Sequence, residues 1–205
     1  MLKWTGERCI PELMLDGNDQ LHQQHLDTIK IQHLARYNWV PTVADLTGKI
    51  VLDAACGSGY GTDLLFKAGA VQVFGIDVDT ETIKYCKEKY PKNNGFLLYN
   101  LENTFPEAMN YDVIVSFETI EHLQDPGYFL AKVERHCRET FIFSIPLNNS
   151  SEFHKQVYTL KDAKELFLSH FAPDKWHIEL FQQDLDNILP LDNGGKFLLG
   201  IIKKK

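Results

Sequence analysis

One stretch of the sequence decides the fold: Val51-Leu52-Asp53-Ala54-Ala55-Cys56-Gly57-Ser58-Gly59-Tyr60-Gly61-Thr62. The residues Ile50 to Leu52 are apolar and β-prone, three glycines follow at once, and the next apolar run has helical spacing. Strand, glycine-rich turn and helix in this order form a nucleotide-binding corner. Glycine lets a ligand approach the backbone, and the N–H groups at the helix start favour polar or anionic ligand atoms.

An acidic residue closes the next predicted strand and indicates the kind of nucleotide. Asp77 follows Gly57 by 20 residues, which is the spacing of a carboxylate that binds a ribose. The sixth place of the dinucleotide fingerprint, counted from Gly57, is Thr62 and not glycine. Asp53 would also repel a pyrophosphate. A carboxylate at this turn suits a ligand with a cationic amino group.

At these residues the chain resembles the class I S-adenosylmethionine-dependent methyltransferases, over about residues 45–170. Asp53, Gly57 and Gly59 match the family's first motif, Asp-x-x-x-Gly-x-Gly. Three further segments follow in the family's order: Gly75-Ile76-Asp77-Val78-Asp79, Tyr99-Asn100-Leu101-Glu102 and Tyr111-Asp112-Val113-Ile114-Val115-Ser116-Phe117-Glu118. The resemblance implies a methyltransferase with S-adenosyl-L-methionine as its cofactor.

The resemblance also implies which residues bind that cofactor. Gly57 and Gly59 would pass close to its methionine part, and Asp53 would lie near the amino group and contact it through water. Asp77 would hold the ribose hydroxyls. Asn100 stands where many relatives have an aspartate that accepts from the adenine amino group. The other implied cofactor residues are Ala55, Tyr60, Val78, Leu101, Glu102 and Phe117.

Alternating strand and helix patterns predict an α/β fold, a Rossmann-like doubly wound, mainly parallel seven-stranded sheet with an antiparallel last strand. A helix over 20–38 is predicted to end at Pro41. Strands are expected near 49–54, 72–77, 96–99, 112–117, 140–145, 176–182 and 196–203, and helices near 61–68, 80–89, 127–136 and 160–169. Turn-forming residues 192–195 join the last two strands, which predicts an antiparallel pair.

The composition indicates one globular domain, because 205 residues with 44% hydrophobic and 24% charged residues suffice for a single core. We expect residues 1–205 to form one methyltransferase domain, in which 1–40 are an arm and helix that cap the cofactor site and 45–205 are the Rossmann-like core. Residues 5–11 resemble an opening in bacterial relatives and would fold over the cofactor as a lid.

Three sequence features bear on partners and location. The apolar runs are shorter than a membrane span, and an N-terminal signal pattern is absent. The four cysteines form no C-x-x-C pair, so we expect a reducing cytoplasm. The net charge of −7 disfavours a broad nucleic-acid surface, which leaves a small-molecule methyl acceptor as the expected partner. The sequence makes no prediction of oligomeric state.

A second group of candidates, Glu118-Thr119-Ile120-Glu121-His122, follows the fourth predicted strand, where ligands bind in open α/β sheets. On a helical turn Glu118, Glu121 and His122 share one face, and with His154 they could bind a divalent metal such as Mg, Mn or Zn. The pattern is similar to the ubiquinone-biosynthesis O-methyltransferases and to small-RNA 3′-terminal 2′-O-methyltransferases, which use such residues to hold Mg²⁺. The alternative is a metal-free substrate pocket whose rim these residues shape.

The predicted function is therefore methyl transfer to a small molecule, at oxygen. Glu118, His122 or His154 would accept the proton of the acceptor hydroxyl, or a bound metal would lower the pKa of that hydroxyl. Three alternatives stay open: a metal-dependent RNA 2′-O-methyltransferase, a nicotinamide oxidoreductase, and a non-catalytic protein that binds S-adenosyl-L-methionine.

Overall fold

Eight strands form a single sheet in the part of the chain that the structure, a computed structural model, describes: residues 2, 8–13, 20–93, 95–192 and 195–205. The strands are β1 (Ile50–Ala54), β2 (Gln72–Asp77), β3 (Phe96–Leu98), β4 (Tyr111–Phe117), β5 (Cys137–Pro146), β6 (Trp176–Asp184), β7 (Asn187–Pro190) and β8 (Phe197–Lys204). The helices are α1 (Gln20–Val43), α2 (Tyr60–Lys67), α3 (Thr80–Lys89), α4 (Pro126–His136) and α5 (Leu160–His170), with a 3₁₀ turn at Ile120–His122.

The strand order is β3-β2-β1-β4-β5-β8-β6-β7. Strands β3, β2, β1, β4 and β5 run parallel, whereas β8 lies antiparallel between β5 and β6. This confirms the doubly wound fold and the antiparallel pairing of the strands near 176–182 and 196–203. The order reverses between β1 and β4, so their carboxyl ends flank the crevice where this fold binds ligands.

The sheet has eight strands, not seven, because β7 pairs with β6 as an edge hairpin. The segment Asn187–Pro190 is only four residues long and ends in proline, which is tolerated at an edge strand. So short a segment carries little periodicity, which is why it was not predicted from sequence. Residues 193 and 194 of the predicted turn lie outside the described residues.

Hydrophobic side chains cover both faces of the sheet because neighbouring residues on a strand point to opposite faces. Leu52 and Ile114 belong to one core cluster, and Val51 and Val113 belong to the other. The first cluster packs on α4 and α5 through Phe129, Leu130, Val133, Ala163 and Phe167. The second packs on α1 and α2 through Tyr37, Val40 and Leu65. The buried parallel strands therefore read as continuous apolar runs.

Helix α1 is longer than predicted, because it continues through Pro41 to Val43. Ala44 N donates to Val40 O at 3.0 Å, so a helical turn closes after the proline. The prediction that Pro41 ends the helix was wrong because a proline in the last turn removes only one hydrogen bond. Although α1 has 24 residues, neither it nor another helix among the described ranges is apolar enough to cross a membrane.

Candidate functional site

A cavity of about 500 Å³ lies where the carboxyl ends of the central parallel strands meet. Its floor comes from the segments after β1, β2, β3 and β4, and α1 forms its cover. The lining includes Ala55, Cys56, Gly57, Asp77, Val78, Tyr99, Asn100, Leu101, Glu102, Phe117 and Glu118 from the strand ends, and Ile29, Gln32, His33, Arg36 and Tyr37 from α1. Of the eleven cofactor residues predicted from sequence, Asp53 and Gly59 are the two outside this lining.

The two glycines of the first motif have different roles. Gly57 has a φ of 53° and lines the cavity, and a Cβ at this position would meet no atom within 4 Å. Gly59 has a φ of 79°, and its Cβ would come within 2.7 Å of Cys86 Sγ. Gly59 is therefore required for packing against α3. It lies outside the lining of the cavity, and its assignment to the cofactor stays a prediction.

Asp53 lies beneath the cavity and not in its wall. It is 0% exposed, and its carboxylate accepts from Tyr37 Oη at 2.9 Å and from Thr62 Oγ1 at 2.6 Å. Burial raises the pKa of Asp53 to about 6, against the lowering effect of these two hydrogen bonds. Asp53 therefore lies one side chain away from the cavity, because Tyr37, which donates to its carboxylate, does line it.

Asp77 faces the cavity with a carboxylate that the backbone holds in place. Its Oδ2 accepts from Gly57 N at 3.0 Å, and its Oδ1 accepts from Asp79 N at 3.0 Å. Each carboxylate oxygen can accept a further hydrogen bond, so the group can also bind two adjacent hydroxyls. Arg8, from the predicted lid, lies 3.0 Å from Asp79 Oδ2 and also lines the cavity. Residues 5–7 of that lid lie outside the described residues.

The loop after β3 also lines the cavity. Asn100 Oδ1 accepts from Glu102 N at 3.1 Å, which shapes the turn that presents Leu101. The Glu102 carboxylate accepts from Gln124 N at 2.9 and 3.0 Å, so its side chain joins this loop to the start of α4. The three predicted residues of this loop therefore line one cavity with Val78.

Aromatic rings and a histidine also line the cavity. The Tyr37 ring meets the rings of Tyr60 and Phe117 edge to face, with centroids at 5.4 and 5.0 Å. His33 Nδ1 lies 3.1 Å from Tyr60 Oη. Burial, followed by the charge of Arg36, holds the pKa of His33 well below its usual range, so the ring is neutral at pH 7.

His33 and Arg36 were missed by sequence reasoning, because neither belongs to a motif. The available signal was their spacing on α1. Ile29, His33 and Arg36 recur at four and three residues, which places them on one helical face. That face lines the cavity.

Glu118 is held away from the other predicted metal ligands. Its φ of 50° is uncommon for a residue with a side chain. Ser144 Oγ donates to Glu118 Oε1 at 2.7 Å, Glu118 N donates to Ser144 O at 3.1 Å, and Arg36 Nη1 lies 3.4 Å from Oε1. The structure does not bring Glu118 into the group formed by Glu121, His122 and His154, since its carboxylate meets a cation and a hydroxyl instead.

Glu121, His122 and His154 do come together, with ligand atoms within 4.8 Å of one another. His122 Nδ1 lies 3.1 Å from Phe153 O, and His154 Nδ1 lies 3.0 Å from Asn149 O. Because a carbonyl oxygen only accepts, both Nδ1 atoms carry the proton, and Nε2 has the lone pair in each neutral ring. Such carbonyl-oriented imidazoles are common around protein metal sites.

The loop that carries His154 is tied to the 3₁₀ turn through the backbone. Lys155 N and Gln156 N both donate to Glu121 O, at 2.8 and 3.0 Å. The Glu121 side chain is 1% exposed. The relative positions of the carboxylate and of the two imidazoles are therefore set by main-chain contacts and by burial.

Comparisons with known proteins agree with this geometry. Residues 52–145 match a protein family described as a methyltransferase domain. A probable S-adenosylmethionine-dependent methyltransferase of Mycobacterium tuberculosis is 31% identical over 153 residues, which cover 75% of this chain and 51% of that protein. The ubiquinone biosynthesis O-methyltransferase of Haemophilus ducreyi is 35% identical over 100 residues, which cover 44% of this chain and 42% of that protein. The chain thus spans about half the length of the curated relatives it matches.

A solved structure shares the fold. The TehB-like SAM-dependent methyltransferase of Corynebacterium glutamicum aligns with a TM-score of 0.68 over 83% of this chain and 88% of its own, at 22% identity. At this identity the likeness concerns the fold, which agrees with the order and directions of the strands described above.

Proposed function

We propose that the chain is a class I S-adenosylmethionine-dependent methyltransferase, as its matches indicate, and that it methylates a hydroxyl oxygen of a small molecule. One observation carries the proposal. Among the described residues, Asp77 lines the same cavity as Glu121, His122 and His154. A donor held by Asp77 and an acceptor held near the other three residues would share that cavity.

The cofactor end fits S-adenosyl-L-methionine, which supplies a methyl group on a sulfonium. Open space in front of Gly57 admits a ligand against the backbone. Asp77 would bind the ribose hydroxyls, and Asn100 and Leu101 would face the adenine. Tyr37, Tyr60 and Phe117 would enclose the reacting groups, since an aromatic face attracts a cation. Holding both reactants in line can lower the barrier by about 7–11 kcal/mol.

At the acceptor end the hydroxyl must lose its proton. We propose that Glu121, His122 and His154 hold a divalent ion, since two imidazole Nε2 atoms and a carboxylate are a ligand set that transition metals accept. Such an ion would lower the pKa of the acceptor hydroxyl. In the metal-free alternative, His122 Nε2 would accept the proton directly. Glu118 is disfavoured as the base because its carboxylate is already engaged by Ser144 Oγ and by Arg36 Nη1.

A second candidate is a metal-dependent RNA 2′-O-methyltransferase, which the same three-residue cluster favours. RNA binding needs a cationic surface that neutralises phosphates, and the net charge of −7 opposes it. The test is binding of a short single-stranded RNA at low salt. Binding that weakens steeply with added salt would favour this candidate over a small-molecule acceptor.

Location and domain organisation belong to the same proposal. The four cysteines are free and buried, which suits a reducing cytoplasm. The expected single domain, with residues 1–40 capping the cofactor site, is supported by Arg8, Cys9 and the α1 residues in the lining of the cavity.

Calorimetry with S-adenosylhomocysteine and with NAD tests the proposal. We expect the first to bind and the second not to. Asp77→Asn should weaken binding about 10- to 100-fold. It replaces one charged oxygen, which would accept hydrogen bonds from the backbone and from the ribose, with an amide nitrogen that cannot accept. The exposed Asp184→Asn is the matched control. Uptake of NAD alone would overturn the proposal, and binding without turnover of any hydroxyl acceptor would favour a non-catalytic binding protein.

A further inference from the structure

The loop 147–159 is closed at its base. Leu147 and Tyr158 form an isolated β-bridge, and Asn148 N donates to Tyr158 O at 2.8 Å. The part of the chain between these two ends carries His154, which lines the cavity. Because the ends are held together, the position of the imidazole depends on the contacts of the part between them.

This outer part of the loop is hydrogen-bonded to residues 121–124. As described above, Lys155 N and Gln156 N donate to Glu121 O. The Gln156 side chain adds a further contact, because its Nε2 donates to Gln124 O at 3.3 Å. Three hydrogen bonds therefore join the loop to the 3₁₀ turn and to the residues that follow it.

Gln124 is bonded on its other side to the loop after β3. Its N–H donates to both oxygens of the Glu102 carboxylate, at 2.9 and 3.0 Å. Tyr128 Oη, from the first turn of α4, donates to Asn103 O at 3.1 Å and holds the same two segments together. Gln124 thus lies between two loops that both line the cavity.

The contact between Gln124 and Gln156 lies outside the cavity, because neither is among the described residues that line it. A bound ligand can touch His154 directly, but it can act on this contact only through the segments that hold the two glutamines. Glu102 belongs to such a segment and does line the cavity. Gln156 is only partly buried, so its side chain can be replaced without loss of the fold.

We propose that Gln156 is a positioning residue, through which a cofactor bound at the loop after β3 fixes the position of His154. A ligand held at Asn100 would hold Glu102, whose carboxylate would in turn hold Gln124. Ordering of the first loop would then reduce the entropy that the second loop loses when it is ordered. The inference rests on the proposed function, since it requires the adenine to lie against the loop after β3.

Hydrogen exchange measured by NMR on the full chain tests this coupling, with S-adenosylhomocysteine as the probe. The readout is the exchange rate of the Lys155 and Gln156 amides without the probe, divided by the rate with saturating probe. We expect a ratio of about 5 or more, the low end of typical coupling between two sites. Gln156→Met keeps the length of the side chain but removes its donor, so the ratio should fall close to that of an uncoupled amide.

The matched control is Gln24→Met, at an exposed position of α1, which should keep the ratio of the natural chain. Calorimetry on each variant verifies that the probe is saturating. A role of Gln156 in loop stability alone would speed exchange equally in both states and leave the ratio unchanged.

Two results would overturn the inference. One is a natural chain that binds the probe without slower exchange at Lys155 and Gln156. The other is slowing that persists in Gln156→Met, which would mean that the probe protects the loop by direct contact. Failure of the natural chain to bind S-adenosylhomocysteine would count against the proposed function itself.

Discussion

Thr62 Oγ1 lies 2.6 Å from Asp53 Oδ2, so the two residues that separate this turn from a dinucleotide fingerprint are hydrogen-bonded to each other. In the dinucleotide pattern the place of Thr62 is a glycine, which has no hydroxyl to donate. Tyr37 Oη supplies the second donor, at 2.9 Å. The two departures from that pattern therefore depend on each other, because the threonine hydroxyl stabilises the buried carboxylate.

Asp53 makes the stability of the fold depend on pH. Burial raises its pKa from the ordinary 3.8 to about 6, so the folded chain holds this proton more tightly than the unfolded chain. The resulting stabilisation is complete below pH 3.8 and is lost as the pH rises through about 6. Relative to Asp53→Asn, the free energy of unfolding of the natural chain should fall by about 3 kcal/mol over that interval.

Urea denaturation of both proteins between pH 4 and pH 7 measures this difference. The exposed Asp174→Asn serves as the control and should show a constant offset from the natural chain. A constant offset for Asp53→Asn as well would mean that the buried carboxyl does not titrate in this range.

The two glycines of the turn should respond differently to alanine. Gly59→Ala places a Cβ 2.7 Å from Cys86 Sγ at a positive φ, and it should destabilise the fold by about 2–4 kcal/mol. Gly57→Ala meets no neighbour within 4 Å and should cost about 1 kcal/mol for its φ alone. It should instead weaken S-adenosylhomocysteine binding, because the methyl group occupies space where the ligand approaches.

Denaturation and calorimetry on the same two variants separate these effects, and each variant is the control for the other. Equal losses of stability, or unchanged affinity in Gly57→Ala, would contradict the roles assigned to the two positions.

A divalent ion at Glu121, His122 and His154 predicts a measurable metal content. The protein purified without chelator should contain about one ion per chain, since a prepared set of three ligands binds metal in the folded state. His154→Ala should lose the ion, whereas the exposed His177→Ala should keep it. Elemental analysis by mass spectrometry gives the content directly. Full turnover after dialysis against EDTA would instead favour His122 as a metal-free base.

Gln183 should control how firmly α1 covers the cavity. Gln183→Leu keeps the size of the side chain but removes its hydrogen bonds to Arg36 Nε, Gln32 O and Leu185 O. Leaving these buried groups unsatisfied should lower the free energy of unfolding by about 2–4 kcal/mol.

Hydrogen exchange gives a readout specific to this contact, since amides of α1 should exchange faster in Gln183→Leu while those of β1 and β4 stay protected. The neighbouring exposed Asp184→Asn should change neither. Uniformly faster exchange over the whole sheet would indicate general destabilisation and contradict a local role in holding α1.

The parts of the fold that were predictable are those that short sequence patterns encode. Strand β1 and the turn after it form one short segment, and Asp77 and the loop at Asn100 each end or follow a strand of the same parallel sheet, which explains why Gly57, Asp77 and Asn100 line one cavity. The orientation of a side chain is a different matter. Asp53 belongs to the motif, but its side chain is hydrogen-bonded to Tyr37 and Thr62. The spacing of residues in the motif does not predict these contacts.

The wall of the cavity around Arg36 was less predictable because it depends on contacts between distant segments. Arg36 and Gln183 are 147 residues apart, and their hydrogen bond exists only because the β6–β7 hairpin packs on α1. The same limitation explains Glu118, whose expected helical neighbours were Glu121 and His122. Its positive φ turns the side chain toward Ser144 instead.

The main-chain contacts of Lys155 and Gln156 with Glu121 have a consequence for protein engineering. Residues 147–159 and residues 118–122 therefore form one structural unit. Replacing either segment alone with that of a homologue would leave the amides of Lys155 and Gln156 without their acceptor, or would change the orientation of the His122 and His154 rings. Chimeras intended to swap acceptor preference should therefore transplant both segments together.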